Sequence, residues 1–371
     1  MTVMPSVLRR MAISCLGLFS FCLGAAAVAQ ESQLAGLPPG DRPLEVQIGF
    51  NLVNITDVGE KEETLDFDGA IYLNWHDPRL AYAHEDYGLP ADWANDGYSR
   101  VPARVYQGDY AVKEIFAGWR PHVLIPNGIG NRAVSDMGIS IWPDGRVEYS
   151  EKFFARVETP MDLRRFPFDT QQLEIFFHPF LYSRDELVLV PDDRLARTWD
   201  QNLGIADWSR EGVTMQERAI DIAYFDESRS AMSEFVVTVE IKRRPLHMII
   251  SILLPMVLLV SLTWCVFWMD NETLANRVNI TFIGVLSVVA YYFVILNNVP
   301  EVSYLTLVDA FIISTFLILA GGVVIAVRME SYARDGMRER GMRVDRICRW
   351  AFPLAYFLTS ALLGITFLSL Y

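Results

Sequence analysis

The chain has 371 residues, 52% of them hydrophobic, and a formal net charge of −13 at pH 7. The charge is uneven, because residues 30–244 carry 22 basic and 37 acidic residues whereas residues 245–371 are neutral and hold long apolar runs. This division excludes an electrostatic nucleic-acid binder, and apolar runs of this length exclude a purely soluble protein. The cysteines are Cys15, Cys22, Cys265 and Cys348, so residues 30–244 hold no disulfide framework and no cysteine-based zinc site.

Residues 1–29 have the pattern of a secretory signal peptide. Arg9 and Arg10 precede an apolar stretch over 11–28, and Ala27-Val28-Ala29 has the small-x-small form that signal peptidase cleaves. An uncleaved membrane anchor is the alternative. Export predicts that residues 30–244 lie outside the cytoplasm.

Residues 30–244 alternate between apolar and polar side chains in short segments, which predicts β-strands. The clearest segments are Leu44–Ile48, Ala70–Trp75, Ser140–Tyr149, Gln172–Phe177 and Glu234–Lys242. Inside the third segment, residues 143–145 read Pro-Asp-Gly and predict the turn of a hairpin. Many short strands at this spacing predict an extracellular, immunoglobulin-like β-sandwich of about ten strands.

Four apolar stretches after residue 245 are long enough to cross a membrane as helices. They are predicted at about 246–269, 274–299, 305–328 and 350–370. Seven arginines lie between 328 and 349, where a short cytoplasmic loop is predicted over 329–349. The positive-inside rule then places residues 30–244 and the C-terminus outside the cytoplasm, in agreement with the signal peptide.

The second apolar stretch carries an unusual number of polar side chains for a membrane helix. On a helix, one stripe at spacings of three or four has polar ends and an apolar middle. The stripe consists of Asn279, Ile283, Leu286, Ala290, Phe293 and Asn297. Polar groups in hydrocarbon often face a water-filled path, and a ring of copies of this helix would enclose one. The alternative is that these residues only join helices together.

The sequence shows no catalytic or metal-binding pattern. The histidines do not have the spacing of metal ligands, and no Ser/His/Asp order, phosphate loop or nucleotide fingerprint is present. These histidines are His76, His84, His122, His178 and His247. We therefore predict a protein that is not an enzyme and needs neither a cofactor nor a metal.

Six motifs in order, followed by four predicted membrane spans, resemble the prokaryotic pentameric ligand-gated ion channels, which are related to the Cys-loop receptors. The motifs are Ile55–Lys61, Trp75–Leu80, Trp119–His122 with Asn127, Phe166–Gln171, Arg243–Pro245, and Pro300 with Tyr304. Phe166–Gln171 has the form F-P-F-D-x-Q and is the most specific. Thr159 and Leu173 stand where the eukaryotic receptors carry the cysteines of their name, as is usual in prokaryotic relatives. The resemblance implies a pentameric channel in the cell membrane, in contact with lipid. Because one copy cannot bury its polar stripe, we predict a homopentamer, and its permeant ions are predicted to be monovalent cations.

The resemblance also implies an agonist site between subunits. Family members bind agonists in a box of aromatic side chains, which attract ammonium groups. The matching positions are Phe180, Tyr182, Tyr224 and Phe225, with Tyr72 facing them from the neighbouring subunit. Pro126 and Ala70 replace two aromatic residues that are usual in the family, so the box is incomplete. An amine-like agonist and protons both remain open as the stimulus, and an ordinary sandwich core is the alternative interpretation of these aromatic residues.

A second implied set couples the outer domain to the membrane. It consists of Glu60 or Lys61, Phe168, Asp169, Arg243 or Arg244, and Pro300. A buried carboxylate and guanidinium at a moving interface form a two-state element. A static interface ion pair is the alternative.

The third implied set belongs to the pore. Leu286 lies where the family has a ring of leucines, and we predict that Leu286 and Phe293 form the gate. Glu272 and Asn276 would lie at the inner mouth. Asn276 stands where cation channels of the family carry Glu. The Pro-Ala pair of the anion channels is missing as well, because Ala275-Asn276 stands in its place. Because the outer domain is acidic, we predict a cation-selective channel, with a non-conducting, membrane-anchored binding or sensory protein as the alternative.

Overall fold

The computed structural model describes residues 34, 36–83, 104–195, 205–223, 229–269, 274–298, 302–334 and 337–370. The described residues up to 243 form β-strands with short helical turns, and those from 246 onward form helices. The signal peptide predicted over 1–29 lies outside the described residues.

Ten strands form two sheets in the described part of the N-terminal domain. They are β1 (Leu44–Gly59), β2 (Thr64–His76), β3 (Arg104–Gln107), β4 (Val123–Leu124), β5 (Ala133–Ile141), β6 (Arg146–Glu158), β7 (Thr170–Pro179), β8 (Leu187–Pro191), β9 (Trp208–Ala223) and β10 (Arg229–Arg243). One sheet has the order β3-β5-β6-β2-β1-β8 and the other β4-β7-β10-β9. The pairing of β1 with β8 is parallel. The prediction of a β-sandwich of about ten strands is confirmed.

The alternation of the sequence explains how the two sheets meet. In β6 every second side chain from Val147 to Val157 is buried, and in β7 Leu173 and Phe177 are fully buried. The rings of Phe153 in β6 and Phe177 in β7 meet edge to face across the sandwich, with centroids 6.4 Å apart. Burying an aromatic side chain of this size contributes roughly 1.5–3 kcal/mol, so these layers hold together a domain without disulfides.

The predicted turn at residues 143–145 joins β5 to β6. Gly145 has a φ of 88°, in the left-handed region that favours glycine. A Cβ atom at this position would lie 2.7 Å from the carbonyl oxygen of Asp77. The turn therefore requires glycine for its backbone angle and for the close approach of Asp77.

Four helices follow the sandwich, and each is long and apolar enough to cross a membrane. They are α1 (Leu246–Trp268), α2 (Leu274–Asn298), α3 (Leu307–Arg334) and α4 (Arg338–Leu370). Within α1, Ile249–Leu253 forms a wider π-helical turn just before Pro255. Proline lacks a backbone N–H, and the wider turn accommodates the hydrogen bond lost there.

The predicted cytoplasmic segment between the last two spans, 329–349, is largely helical in the residues that the structure describes. Helix α3 continues to Arg334 and α4 begins at Arg338, with the N–H of Arg340 bonded to the carbonyl of Met337 at 3.0 Å. An apolar run in the sequence predicts which part of a helix lies in the hydrocarbon of the membrane. It does not predict the residues at which the helix begins and ends. Arginine, methionine and glutamate, which are frequent here, are good helix formers in water.

Candidate functional site

The loop between β6 and β7, residues 159–169, is fixed at its base by side-chain hydrogen bonds. The Asn127 amide nitrogen donates to the carbonyls of Glu158 and Glu174, each at 2.9 Å. Buried Thr159 accepts the backbone N–H of Glu174 at 3.0 Å. These bonds join the strands on both sides of the loop, at Thr159 and at Glu174, the neighbour of Leu173. The resemblance places the missing cysteines at Thr159 and Leu173.

Arg243, the last residue of β10, lies at the centre of a buried ionic cluster beside this loop. Its side chain is 1% exposed and forms a two-pronged ion pair with Asp169, from Nε to Oδ1 at 2.7 Å and from Nη2 to Oδ2 at 3.1 Å. Its Nη1 donates to Glu60 Oε1. Of the alternatives left open by the sequence, the structure brings Arg243 and Glu60 into the cluster, whereas Arg244 and Lys61 are exposed.

Aromatic rings enclose the guanidinium of Arg243. Its central carbon lies 4.7 Å from the ring centre of Phe166 and 4.1 Å from that of Trp208. The rings exclude water and add cation–π attraction, which strengthens the ion pairs inside. Phe168, predicted as an apolar contact of the joint, is 37% exposed, and Phe166 is the fully buried phenylalanine of the motif.

Gln171, the last residue of the F-P-F-D-x-Q motif, has a structural role in the loop. Its amide nitrogen donates to Asp169 Oδ2 and to the carbonyl of Asp162, both at 2.7 Å. Its amide oxygen accepts the N–H of Asp162 at 2.9 Å. Gln171 therefore orients the carboxylate of Asp169 and holds the loop in the same set of bonds.

Glu60 is the titratable group of the cluster whose pKa is displaced toward neutrality. Burial raises the pKa of Glu60 above its ordinary value of 4.5, although the charge and hydrogen bond of Arg243 oppose the shift. The nearby charges of Asp169 and Asp207 raise it further. A carboxylate in this environment takes up a proton more readily than one on the surface.

Tyr304, in the connection between α2 and α3, fastens the membrane helices to the same loop. Its hydroxyl accepts the N–H of Leu163 at 2.9 Å and donates to the carbonyl of Met161 at 3.3 Å. A backbone bond from the N–H of Leu307 to the carbonyl of Arg164, at 3.1 Å, lies beside it. The β6–β7 loop thus contacts β10, which leads into α1, and the start of α3. Pro300, the other predicted residue of this connection, lies outside the described residues.

The predicted aromatic box is described only in part, since Tyr224 and Phe225 lie outside the described residues. Phe180 is 44% exposed and its ring packs edge to face against His122, with centroids 5.7 Å apart. The hydroxyl of Tyr182 accepts a hydrogen bond from the indole of Trp119 at 3.0 Å. Tyr72 is half-buried on β2. Tyr182 thus has an internal partner, whereas Phe180 presents its ring to the surface.

Helix α2 buries one face and exposes the other. Thr281, Val288 and Ile295 are at most 3% exposed, because they pack against the subunit's own helices. On the opposite face, the predicted stripe is exposed, with Ile283 at 59%, Leu286 at 61% and Phe293 at 62%. Asn276, Asn279 and Ala290 are exposed as well. Asn297 belongs to the helix, but its side chain and Glu272 lie outside the described part.

Both halves of the chain match families of known proteins. Residues 36–245 match the family model described as the neurotransmitter-gated ion-channel ligand binding domain. Residues 252–335 match the neurotransmitter-gated ion-channel transmembrane region. The chain belongs to this ion-channel family. The resemblance to pentameric ligand-gated channels is confirmed, and so is a membrane protein with an extracellular domain ahead of its four spans.

The relatives of this channel differ in stimulus and in ion. The proton-gated ion channel of Gloeobacter violaceus is 27% identical over 332 residues, which cover 89% of this chain and 85% of that protein. The acetylcholine receptor subunit epsilon of Xenopus laevis is 26% identical, over 78% of this chain and 57% of the subunit. The pH-sensitive chloride channel 2 of Anopheles gambiae is 25% identical, over 53% of this chain and 33% of that protein. Membership of the family alone therefore leaves both the stimulus and the permeant ion open.

Sequence reasoning did not assign a role to three residues of this channel's joint. Gln171 and Tyr304 belong to motifs in the sequence, but their hydrogen bonds across the loop depend on the folded structure. No sequence pattern predicts a role for Trp208 at the joint, because a single tryptophan at the start of a strand belongs to no motif. Its position over Arg243 results from the register of β9 on β10, in which Trp208 pairs with Arg243.

Proposed function

We propose that the protein is a homopentameric, cation-selective channel in which α2 of each subunit lines a central pore. The observation that carries the proposal is the exposed stripe of α2, because its described members are uncovered in one subunit and begin with the polar Asn279. Lipid would cover an apolar face, but a helix that exposes Asn276 and Asn279 beside Leu286 fits a water-filled axis better. In a ring of copies, both the polar ends and the apolar middle of the stripe would face the central pore and not lipid.

The gate of this pore is assigned to Leu286 and Phe293. They are bulky apolar members of the stripe and lie seven residues apart, about two helical turns. A ring of five such side chains closes a pore by excluding water, without filling it. Opening then requires a tilt or rotation of α2, which the joint at Tyr304 would transmit.

Cation selectivity is inferred from charge. The outer domain has 15 more acidic than basic residues over 30–244, and five copies would concentrate cations above the pore. At the inner end, Asn276 is exposed and uncharged, and Glu272 lies four residues earlier in the sequence. Five copies of Glu272 would make the inner entrance negative.

External protons are the stimulus that we favour. Glu60 has a raised pKa and shares Arg243 with Asp169, so protonation of Glu60 removes one of the two anions that hold Arg243. That change would release Arg243 from its ionic attraction to Glu60 at the joint between the outer domain and α1, so that Arg243 is paired with Asp169 alone. The relative from Gloeobacter violaceus is named as proton-gated, which supports the same choice. The aromatic box supports an amine less well, because Tyr182 is engaged by Trp119.

The experiment is current recording from the purified protein in a bilayer, with steps of external pH and a panel of amines. Acid-evoked current supports the proposal, and current evoked only by an amine would assign the stimulus to the box. In that case Phe180→Ala should raise the amine concentration needed by about twofold to thirtyfold, since a cation–π contact contributes roughly 0.5–2 kcal/mol. Absence of any conductance would favour the non-conducting sensory protein.

A further inference from the structure

The backbone carbonyl of Ser251, in the second turn of α1, has lost its ordinary helical hydrogen-bond donor. In an α-helix this carbonyl accepts the N–H of the residue four positions later, but that residue is Pro255, which has no N–H. The residues around the carbonyl, Ile249–Leu253, form the π-helical turn of α1. An unsatisfied carbonyl is strongly unfavourable in hydrocarbon, so a proline is tolerated in a membrane helix where a neighbouring group supplies the missing donor.

Tyr291 of α2 supplies a donor to this carbonyl. Its hydroxyl donates a hydrogen bond to the backbone oxygen of Ser251. The ring of a phenylalanine would fill the same space between the helices, but it would leave the carbonyl without this donor. The hydroxyl of Tyr291 is therefore matched to the acceptor that Pro255 leaves free in the neighbouring helix.

A second close contact joins the same two helices nearer to their cytoplasmic ends. Gly284 of α2 lies directly against Thr263 of α1, since a Cβ atom added to Gly284 would lie 2.2 Å from Thr263 Oγ1. Gly284 and Tyr291 are seven residues apart, about two helical turns, so they lie on the same side of α2. Helix α2 is thus held against α1 at two levels, by close packing at Gly284 and by a directional hydrogen bond at Tyr291.

The hydrogen bond lies between the ionic cluster of the joint and the exposed stripe of α2. At one end, Ser251 follows Arg243 by only eight residues in the chain. At the other end, Tyr291 stands between Ala290 and Phe293, which belong to the stripe and are exposed. Its side chain leaves α2 about 100° around the axis from Ala290, so a bond held there resists rotation of the helix.

We propose that Tyr291 is a positioning residue of the channel. Its hydroxyl satisfies the carbonyl that Pro255 leaves free, and through this bond a movement of α1 turns α2. The contact lies within the membrane and is separate from the joint at Tyr304. The bond itself does not depend on the stimulus or the permeant ion, whereas its part in opening rests on the proposed function.

A double-mutant cycle, measured by thermal unfolding of the purified full chain in detergent, tests the bond. Tyr291→Phe removes only the hydroxyl and should lower the unfolding temperature by roughly 2–4 °C. Pro255→Ala returns to α1 an N–H that bonds to the carbonyl of Ser251, so the loss caused by Tyr291→Phe should shrink when the two changes are combined. Equal losses from Tyr291→Phe with and without Pro255→Ala would overturn the proposal.

Tyr292→Phe is the matched control for both measurements. Tyr292 is the adjacent tyrosine of α2, also half-buried, and its ring packs edge to face on Phe316 of α3, with centroids 6.2 Å apart. Among the residues that the structure describes, its hydroxyl makes no hydrogen bond. Where Pro255→Ala does not assemble, the comparison of Tyr291→Phe with Tyr292→Phe decides, and equal unfolding temperatures of these two variants would contradict the bond.

The pH profile of the current tests the positioning role, which a merely stabilising bond would not change. One hydrogen bond between neutral groups is equivalent to about a twofold to tenfold change in an equilibrium. Because α1 then pulls less effectively on α2, the pH of half-maximal activation should fall by about 0.3–1 unit in Tyr291→Phe and stay unchanged in Tyr292→Phe. An unchanged profile in Tyr291→Phe would contradict the positioning role. If the wild-type protein passes no current at any pH, the proposed function fails, and the unfolding cycle still decides whether the bond is made.

Discussion

The hydroxyl of Tyr304 accepts a hydrogen bond from the backbone N–H of Leu163 at 2.9 Å, which joins the α2–α3 connection to the β6–β7 loop. The same loop carries Asp169, which pairs with Arg243 at the entry to α1. One loop of the outer domain thus holds both the first membrane helix and the connection after the second. A displacement of this loop is therefore expected to move α2 through the contact with Tyr304.

Tyr304→Phe removes the two hydrogen bonds of the hydroxyl and leaves the ring in place. Each bond contributes about 0.5–1.5 kcal/mol, so coupling between the loop and α2 should weaken by a few-fold or more. We expect a smaller maximal current at saturating acid, measured in a bilayer at equal protein density. Tyr332→Phe, at the other end of α3, is the control, and equal currents from both variants would contradict the coupling role.

Arg243→Met should destabilise the outer domain strongly. The change leaves Asp169 and Glu60 at a buried site without their cation, at a cost of about 3–5 kcal/mol. Chemical denaturation of the purified protein in detergent measures this loss. Arg244→Met changes the exposed neighbour and should be close to neutral. A similar loss in both variants would show that the cluster contributes little.

Glu60→Gln imitates the protonated carboxyl and should shift activation toward higher pH. The wild-type side chain must gain a proton before Arg243 loses its second anion, and the variant has already lost that charge. Current as a function of external pH measures the shift. Glu62→Gln, in the same turn but exposed, should leave the curve unchanged. A shift toward lower pH in Glu60→Gln would contradict the mechanism.

The raised pKa of Glu60 also predicts the sign of a stability profile. Because the pKa is higher in the folded state, its contribution to stability is fully present below the ordinary value of 4.5 and is lost as the pH rises through the folded value. Relative to Glu60→Gln, the wild-type protein should therefore lose thermal stability as the pH increases across this window. Unfolding temperatures of both proteins at a series of pH values test this, and a constant difference would argue against the shift.

The sequence predicts the fold more completely than it predicts the candidate functional site. The alternation in β6 and β7 predicted the sandwich, because alternate burial is a local property of a strand. The Asp169–Arg243 pair joins residues 74 positions apart, so only the family resemblance pointed to it, and the choice of Arg243 over Arg244 required the strand register.

Replacing either gate residue by a small polar one should open the resting pore. Leu286→Ser or Phe293→Ser places a hydroxyl where an apolar ring excludes water, so water and ions should enter without a stimulus. The measurement is resting current at neutral pH. Leu317→Ser is the control, because Leu317 on α3 is an exposed leucine, at 68% against 61% for Leu286. Unchanged resting current in both pore variants would place the gate elsewhere.

We propose that five copies of this chain form an acid-opened pathway for cations along α2. Its most direct test is the reversal potential of acid-evoked current through the purified protein, in a bilayer with unequal potassium chloride on the two sides. We expect a reversal potential near the equilibrium value for potassium. A reversal potential that follows the chloride gradient, or the absence of current at every pH, would contradict it.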